Sequence, residues 1–410
     1  MGRSIVATTF EDDRQRARQR LPRQLFEFID GGSFGEETLA ANRNDFARVH
    51  LRQRVLMDVG NAVLDTEIFG ERFALPLGLS PVGLAGLMRR RGEAQAVRAA
   101  TAAGVPFVLS TVSLCGIEEV AAAAARPFWF QLYFLRDRDY VAKMIGRAQQ
   151  AGCTALVMTV DVPVNSPRHR DAQTGMGGVP SALARAKVVA DFSRRWPWLR
   201  DVAVGGRPHI FGNLAAAIPD ARGLADFRSF TRANWDNAIG WKDVAWVRDQ
   251  WDGPLVIKGI LDPQDAAAAV AAGANGIVVS NHGGRQLDGV ASSISMLPAI
   301  ANAVGGRAEI FLDGGVRNAI DVLRARALGA KACFVGRPWV LALAADGEAG
   351  VARMIERFRI EMISALGLMG LNDVADVGAE ALAHVPPEWS RGEAAAAPPP
   401  ARRVATIAGE

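Results

Sequence analysis

From residue 75 onward, short apolar runs alternate with longer alanine-rich segments whose apolar positions recur at helical spacing. The runs Leu77–Ser80, Pro106–Ser110, Phe128–Tyr133 and Ala155–Val160 predict strands, as do Leu255–Lys258, Gly276–Ser280, Glu309–Asp313 and Ala332–Gly336. Helices are predicted over 92–103, 116–124, 137–151, 242–250, 262–272, 294–304, 318–329 and 347–366, and Pro263 near a helix start agrees with one of them. Eight strand–helix pairs in this order predict an α/β protein, a (β/α)8 TIM barrel.

Two departures from even spacing define the rest of the organisation. Residues 1–74 precede the first pair and are expected to form an N-terminal helical cap over one end of a barrel spanning 75–385. About eighty residues separate the fourth strand from the helix leading into the fifth, far more than a connecting loop needs. The segment 168–240 is therefore expected to be an insertion with its own structure or purpose. The tail 386–410, with its Ala-Ala-Ala-Ala-Pro-Pro-Pro run, reads as disordered.

Composition narrows the class without choosing a function. Of 410 residues, half are hydrophobic and 22% charged, which suits one barrel-sized core. The net charge of +4 is mild, and no aromatic-basic module or zinc-ligand spacing points to nucleic acid or metal. Cys115, Cys153 and Cys333 are far apart and form no CxxC pair, so buried thiols in a reducing compartment are expected. Residues 1–12 lack the apolar core of a signal peptide. The uncharged stretch from Ala266 to Gly284 is broken by four glycines and by Asn275, Ser280, Asn281 and His282, which favours helix, strand and loop over a membrane span.

In a barrel of this kind, catalytic groups belong at the C-terminal ends of the strands. The polar groups there are Ser80, Ser110, Gln131 with Tyr133, Thr159 with Asp161, Lys258, Ser280 with His282, Asp313, and Arg337 after Gly336. Past the sixth strand runs Ser280-Asn281-His282-Gly283-Gly284-Arg285-Gln286-Leu287-Asp288-Gly289. Its histidine can move a proton near neutral pH, and its arginine can grip a carboxylate with two hydrogen bonds. Alone, His282 would more often merely stabilise a turn. Asp313-Gly314-Gly315-Val316-Arg317 and Gly336-Arg337 follow the seventh and eighth strands, where barrels often bind phosphate. Each alone could be an ordinary turn, and their order and position make the pair informative. Lys258 in a barrel mouth must be paired or functional, because an unpaired buried ammonium is costly. No GxGxxG follows the first strand, which disfavours a Rossmann nicotinamide site.

The ten-residue string resembles the active-site signature of the FMN-dependent L-2-hydroxy-acid dehydrogenase and oxidase family, and most resembles its bacterial membrane-associated L-lactate dehydrogenases. The resemblance runs from about Phe10 to about Leu382. It implies FMN as cofactor and oxidation of a small L-2-hydroxy acid, such as L-lactate, to the 2-oxo acid. It implies that His282 takes the proton, that Asp161 orients it, and that Tyr133 meets the reacting oxygen. Arg168 and Arg285 would hold the substrate carboxylate. Ser80, Pro81 and Val82 would lie beneath the flavin ring, with Ser110, Gln131, Thr159 and Ser280 around it. Lys258 would face its N1–O2 edge. Asp313, Gly314, Gly315, Arg317, Gly336 and Arg337 complete the cofactor set, which reaches the FMN phosphate. One position departs: Phe28 stands where the family usually has a substrate-binding tyrosine.

The segment from Arg168 to Arg207, ends included, holds eight Arg or Lys residues and three Asp, with Phe192, Trp196 and Trp198 among them. That mixture suits an anionic membrane surface or packing on a barrel or neighbouring subunit. The resemblance favours the membrane, placing the protein peripherally on the cytoplasmic side of the bacterial inner membrane, with a quinone as acceptor and a homotetrameric assembly. Gly83 and Val112 agree with a quinone-linked member and with a substrate larger than glycolate. An oxygen-using oxidase or monooxygenase is the same-family alternative. An FMN-barrel isomerase would not need His282, Asp161, Arg168 and Arg285 together.

Overall fold

A computed structural model describes residues 6–390 apart from 177, 180 and 222. Eight parallel strands form its central sheet: β1 (Leu77–Leu79), β2 (Val108–Ser110), β3 (Trp129–Leu132), β4 (Ala155–Thr159), β5 (Leu255–Ile260), β6 (Gly276–Val279), β7 (Glu309–Leu312) and β8 (Ala332–Val335). From β2 onward each pairs with its successor in sequence, and β8 returns to β1. A parallel bridge between Leu79 and Phe107, with Leu79 N–H donating to the Pro106 carbonyl at 2.8 Å, closes the ring. The expected barrel is present, each strand within a few residues of its predicted run.

Strand alternation explains both the core and the site. Val108, Trp129, Val157, Val256, Val278, Phe311 and Phe334 fill the barrel interior. Their neighbours Leu109, Phe130, Leu156, Ile257, Ile277, Leu312 and Val335 point outward into the core shared with the helices. Two residues beyond each interior position, on the same face, stand Ser110, Gln131, Thr159, Lys258, Ser280, Asp313 and Gly336. The interior is thus apolar at its middle and polar at its C-terminal rim.

The N-terminal segment serves both ends of the barrel, not the single end expected for a cap. Helices α1 (Phe10–Arg20), α2 (Arg23–Asp30) and α3 (Glu37–Asn44) lead along the barrel to its mouth. There Ser33 N–H donates to Gly284 O at 3.0 Å, and the amides of Asn42 and Asn281 exchange two 2.8 Å hydrogen bonds. The antiparallel pair Thr66–Ile68 and Glu71–Phe73 plugs the opposite end, where Phe69 packs 5.7 Å from the rings of Trp129 and Phe311.

Two boundaries shift. The eighth helix, expected at 347–366, starts directly after β8 and runs Arg337–Met369 with a break at Asp346 and Gly347, where Gly347 takes φ +62°. The break separates two limbs, and the helical pattern in the sequence predicts only the second. At the C-terminus, Pro387–Ser390 is helical and Trp389 is buried beneath the Arg48 guanidinium, 5.2 Å from its ring centre. Residues 387–390 of the stretch expected to be disordered are therefore ordered, and 391–410 lie outside the described residues.

The insertion contains helices His169–Thr174, Ala182–Ser193 and Leu224–Asn234. Its middle is pinned to the barrel. Trp198 Nε1 donates to Leu87 O at 2.7 Å, and Asp201 pairs with Arg20 at 3.0 Å and Arg89 at 3.3 Å. The buried Asn213 amide donates to Ser110 O at 3.1 Å and Ser113 Oγ at 3.0 Å. The three cysteines are free and buried.

Candidate active site

A cavity of about 600 Å³ opens at the C-terminal rim, a size suited to a cofactor plus a small substrate. Most of the residues singled out in the sequence line it: Ser80, Pro81, Val82 and Thr159 from the early strands, then Lys258, Asp313, Gly314, Gly315, Arg317, Gly336 and Arg337. Phe28, Tyr133, Arg168, His282 and Arg285 line its outer part. Four others stand behind this wall. Ser110 donates to Gln131 Oε1 at 3.0 Å, Ser280 supports Lys258 and His282, and Asp161 supports His282.

His282 adopts φ +58°, a left-handed conformation that costs a non-glycine residue free energy and persists only where contacts enforce it. Its backbone N–H donates to Ser280 Oγ at 3.0 Å, and its Nδ1 lies 3.0 Å from Asp161 Oδ1. Nε2 is then the nitrogen left for a ligand. Burial pushes the Asp161 carboxyl up, but His282 and Lys258 outweigh it and hold it below the ordinary aspartate value. Close packing at Gly259 admits this aspartate: φ is +108°, and a Cβ there would stand 2.5 Å from Asp161 Cβ.

Lys258 Nζ sits 2.9 Å from Asp313 Oδ2 and donates to Ser280 Oγ at 2.8 Å, while Ser80 Oγ donates to the same Asp313 oxygen at 3.2 Å. Burial pulls the Lys258 ammonium down, but Asp313 and Asp161 prevail and its pKa stands above the usual lysine value. Lys258 is therefore a fixed positive charge on the cavity floor.

The arginines are arranged differently. Arg285 Nη1 donates to the carbonyls of Phe28 at 2.7 Å and Gly31 at 2.9 Å. Burial lowers its pKa well below the usual value, and nearby Arg168 and Arg337 lower it further. Arg337 spans three carbonyls, Ile29 at 3.0 Å, Gly283 at 2.9 Å and Gly31 at 2.7 Å. Burial lowers Arg337 to about 10, against the pull of Asp30. Arg317 falls to about 9 through burial, then Arg337 and Arg43. Cations that depress one another favour an anion between them. Phe28 lies under two guanidinium groups, 5.1 Å from Arg285 and 5.8 Å from Arg168.

These residues fit FMN on two independent observations. Gln131 Nε2, Thr159 Oγ1 and Asp313 Oδ1 are buried with no hydrogen-bond partner in the protein, which calls for polar ligand atoms. Gly314 and Gly315 take φ +92° and +91°, and at Gly315 a Cβ would come within 1.9 Å of Asn42 O. Only glycine permits α3 to close on that loop beside Arg317.

The sequence reading did not include Trp235, whose ring packs 4.6 Å from that of Tyr133 while Nε1 donates to Val162 O at 3.0 Å. Phe211, Thr231, Arg232 and Asn237 line the same outer wall. All come from the insertion or the segment leaving it, and no local motif marks them. Gln286 also went unassigned, although its signature position pointed to it. Its Nε2 braces the backbone of Asp161 at 2.8 Å.

A barrel with a cationic end, orphaned polar groups around its floor and a His–Asp pair at its mouth has the features of a flavin-type oxidoreductase scaffold. The chain belongs to the FMN-dependent dehydrogenase family, whose family model matches residues 17–384. It is 54% identical over 379 residues to a Caulobacter vibrioides protein named L-lactate dehydrogenase, covering 92% of this chain and 98% of the relative. A Xanthomonas oryzae pv. oryzae protein of the same name is 51% identical over 381 residues, with 93% and 97% covered. Among solved structures, (S)-mandelate dehydrogenase, described as a monotopic membrane protein, superposes with a TM-score of 0.87 at 33% identity over 92% of this chain and 99% of that one. Mandelate oxidase superposes with a TM-score of 0.77 at 38% identity, covering 92% and 98%. Among the described residues no helix is long and apolar enough to cross a membrane.

Proposed function

We propose that this enzyme oxidises L-lactate to pyruvate and delivers the electrons to a membrane quinone. The observation that carries the reading is the His282–Asp161 pair, 3.0 Å apart, at the mouth of a cavity also lined by Arg168 and Arg285. In this reading Arg168 and Arg285 hold the substrate carboxylate, so that the 2-hydroxyl and its carbon face His282. Nε2 of His282 takes the substrate proton, and Asp161 steadies the imidazolium through Nδ1. Tyr133, whose phenol burial and then Asp161 push well above the usual tyrosine value, stays protonated and donates to the reacting oxygen. FMN, when bound, supplies the two-electron acceptor. Arg317, Arg337 and the Gly314–Gly315 amides would hold its phosphate end, Ser80–Val82, Ser110, Gln131, Thr159 and Ser280 would surround its ring, and Lys258 would set a positive charge beside it. Lactate as substrate is supported by the relatives that bear that name.

A peripheral position on the cytoplasmic face of the inner membrane is part of the same proposal. Leu183, Val189 and Trp196 on the insertion are 68, 61 and 68% exposed amid its arginines and lysines, and the mandelate dehydrogenase neighbour bears the description monotopic. A homotetramer completes the reading, on family resemblance, and light scattering of the purified protein tests it.

Anaerobic addition of L-lactate to the FMN-loaded protein tests the main claim. The yellow absorbance should bleach within seconds and return on adding a quinone analogue. Absence of bleaching with any L-2-hydroxy acid overturns the reading, and stoichiometric peroxide release in air moves it to an oxidase.

A further inference from the structure

Among the described residues, seven arginine and lysine side chains line the cavity, and the function proposed above employs five of them: Lys258, Arg317 and Arg337 towards the flavin, Arg168 and Arg285 at the substrate carboxylate. Arg136 and Arg232 are left. We propose that they form an outer anion site at the cavity mouth, which gathers the carboxylate substrate and hands it inward to Arg168 and Arg285.

The two residues come from distant parts of the chain and are held together by a defined structure. Arg136 follows β3, three residues beyond Tyr133, and Arg232 lies in the last turn of helix Leu224–Asn234 of the insertion. The segments run antiparallel. Leu135 bridges Trp235, Arg136 N–H donates to Asn234 O at 2.8 Å, and Asp236 N–H donates to Phe134 O at 3.2 Å. Arg136 Nη1 also donates to Ala233 O at 3.1 Å. Trp235, packed on Tyr133, stiffens this lip from inside.

The lip is predominantly cationic. Asp236 on the same segment pairs with Arg138 at 2.7 Å and also feels the Arg136 charge, but among the described residues no carboxylate lies within ion-pair distance of Arg136 or Arg232. Among the described residues the one carboxylate lining the cavity, Asp313, is neutralised by Lys258 at its floor. Both arginines are exposed, so their hydrated charge would grip an anion weakly. A cleft of one sign with low-dielectric walls nevertheless raises the local concentration of an oppositely charged substrate.

This inference rests on the carboxylate-substrate reading, and its test separates the two. Stopped-flow bleaching of the FMN-loaded protein by L-lactate would be compared for the wild type, the Arg136→Gln/Arg232→Gln double variant and the corresponding double lysine variant across ionic strength. The glutamine variant should lose about three- to tenfold in the second-order rate constant at ~0.01 M salt, at or below the low end of steering effects, with its limiting rate at saturating lactate little changed. The gap should close towards ~0.5 M salt, where the Debye length shrinks to a few ångströms, and the lysine variant should retain the wild-type salt slope. A glutamine variant that keeps the wild-type slope and rate constant overturns the outer site. So does one that loses anionic-vesicle binding while its slope is unchanged, since that assigns the pair to the membrane. Failure of the wild type to bleach with any 2-hydroxy acid overturns the functional reading, and the outer site with it.

Discussion

Asp161 Oδ1 and His282 Nδ1 meet at 3.0 Å from the ends of β4 and β6, across the strand that carries Lys258 between them. The contact fixes which imidazole nitrogen faces the cavity. It also holds a histidine in a left-handed conformation that its own backbone disfavours. His282→Gln should leave FMN bound and cut the rate of flavin reduction by at least ~10²-fold, the lower range for loss of a general base. Asp161→Asn should act in the same direction by leaving the developing imidazolium without its counter-charge. Rapid-mixing absorbance measures both, and a near-normal rate in His282→Gln would remove it from the proton transfer.

Much of this arrangement could be read from the sequence because two periodicities agree. The apolar runs mark the strands, and period-two alternation then puts Ser110, Gln131, Thr159, Lys258, Ser280 and Asp313 on the inner face one step above Val108, Trp129, Val157, Val256, Val278 and Phe311. What was not legible depends on chain reversal over long distances. The 66–73 hairpin plugs the far end through Phe69, a contact that no local pattern announces. Trp235 reaches Tyr133 from about a hundred residues away because Leu135 and Trp235 pair across two irregular segments. The break at Asp346–Gly347 hid the first limb of the eighth barrel helix, which places Arg337 at a helix start.

Arg317 distinguishes a phosphate site from a general cationic wall. Burial and neighbouring arginines depress it to about 9, and a cofactor phosphate would restore its charge balance. Arg317→Gln removes a charge-assisted bond worth about 1.5–3 kcal/mol, so FMN affinity should fall roughly ten- to a hundredfold. Riboflavin, which shares the ring and lacks the phosphate, should bind both proteins alike. Fluorescence titration of apoprotein with each ligand checks this, and equal losses for the two would place Arg317 elsewhere.

Acid stability should depend on Asp30, the carboxylate behind the mouth. Burial pushes it up, but Arg14, at 2.6 Å, and Arg170, at 3.0 Å, bring it below the ordinary value. A carboxyl depressed on folding contributes stability that is fully present above its unfolded value of about 3.9 and is lost as pH falls through the lower folded value. Asp30→Asn should therefore lower the Tm at neutral pH, and its deficit against the wild type should shrink below pH ~4. Thermal melts between pH 3 and 7 would test this; a deficit independent of pH would contradict the ion-pair origin.

The insertion cannot be treated as a detachable anchor. Trp198, Asp201 and Asn213 bind Leu87, Arg89 and Ser110 at and beyond the ends of β1 and β2, and Phe211 lines the cavity, so excising 180–215 would damage the site itself. The membrane proposal is better tested by changing only its exposed apolar groups. Leu183→Ser, Val189→Ser and Trp196→Ser together should weaken sedimentation with anionic vesicles by about tenfold or more, since burying each large side chain contributes about 1.5–3 kcal/mol. Reduction of a soluble dye should be preserved. Unchanged vesicle binding would assign these residues to another surface.

Phe28 stands between Arg168 and Arg285 and touches the cavity with a ring that has no hydroxyl. Its aromatic face still braces both guanidinium groups, an interaction worth roughly 0.5–2 kcal/mol depending on desolvation. What it lacks is a donor to the substrate carboxylate, and a hydrogen bond to a charged group contributes about 1.5–3 kcal/mol. Phe28→Tyr keeps the brace and adds the donor. It should lower the KM for L-lactate by roughly tenfold or more and change kcat little, because the added bond forms equally with bound substrate and transition state. Steady-state kinetics with lactate and with a larger 2-hydroxy acid provide the check. If the hydroxyl instead displaces an arginine, KM will rise for both substrates, and Phe28 is then retained as the apolar floor on which Arg168 and Arg285 rest.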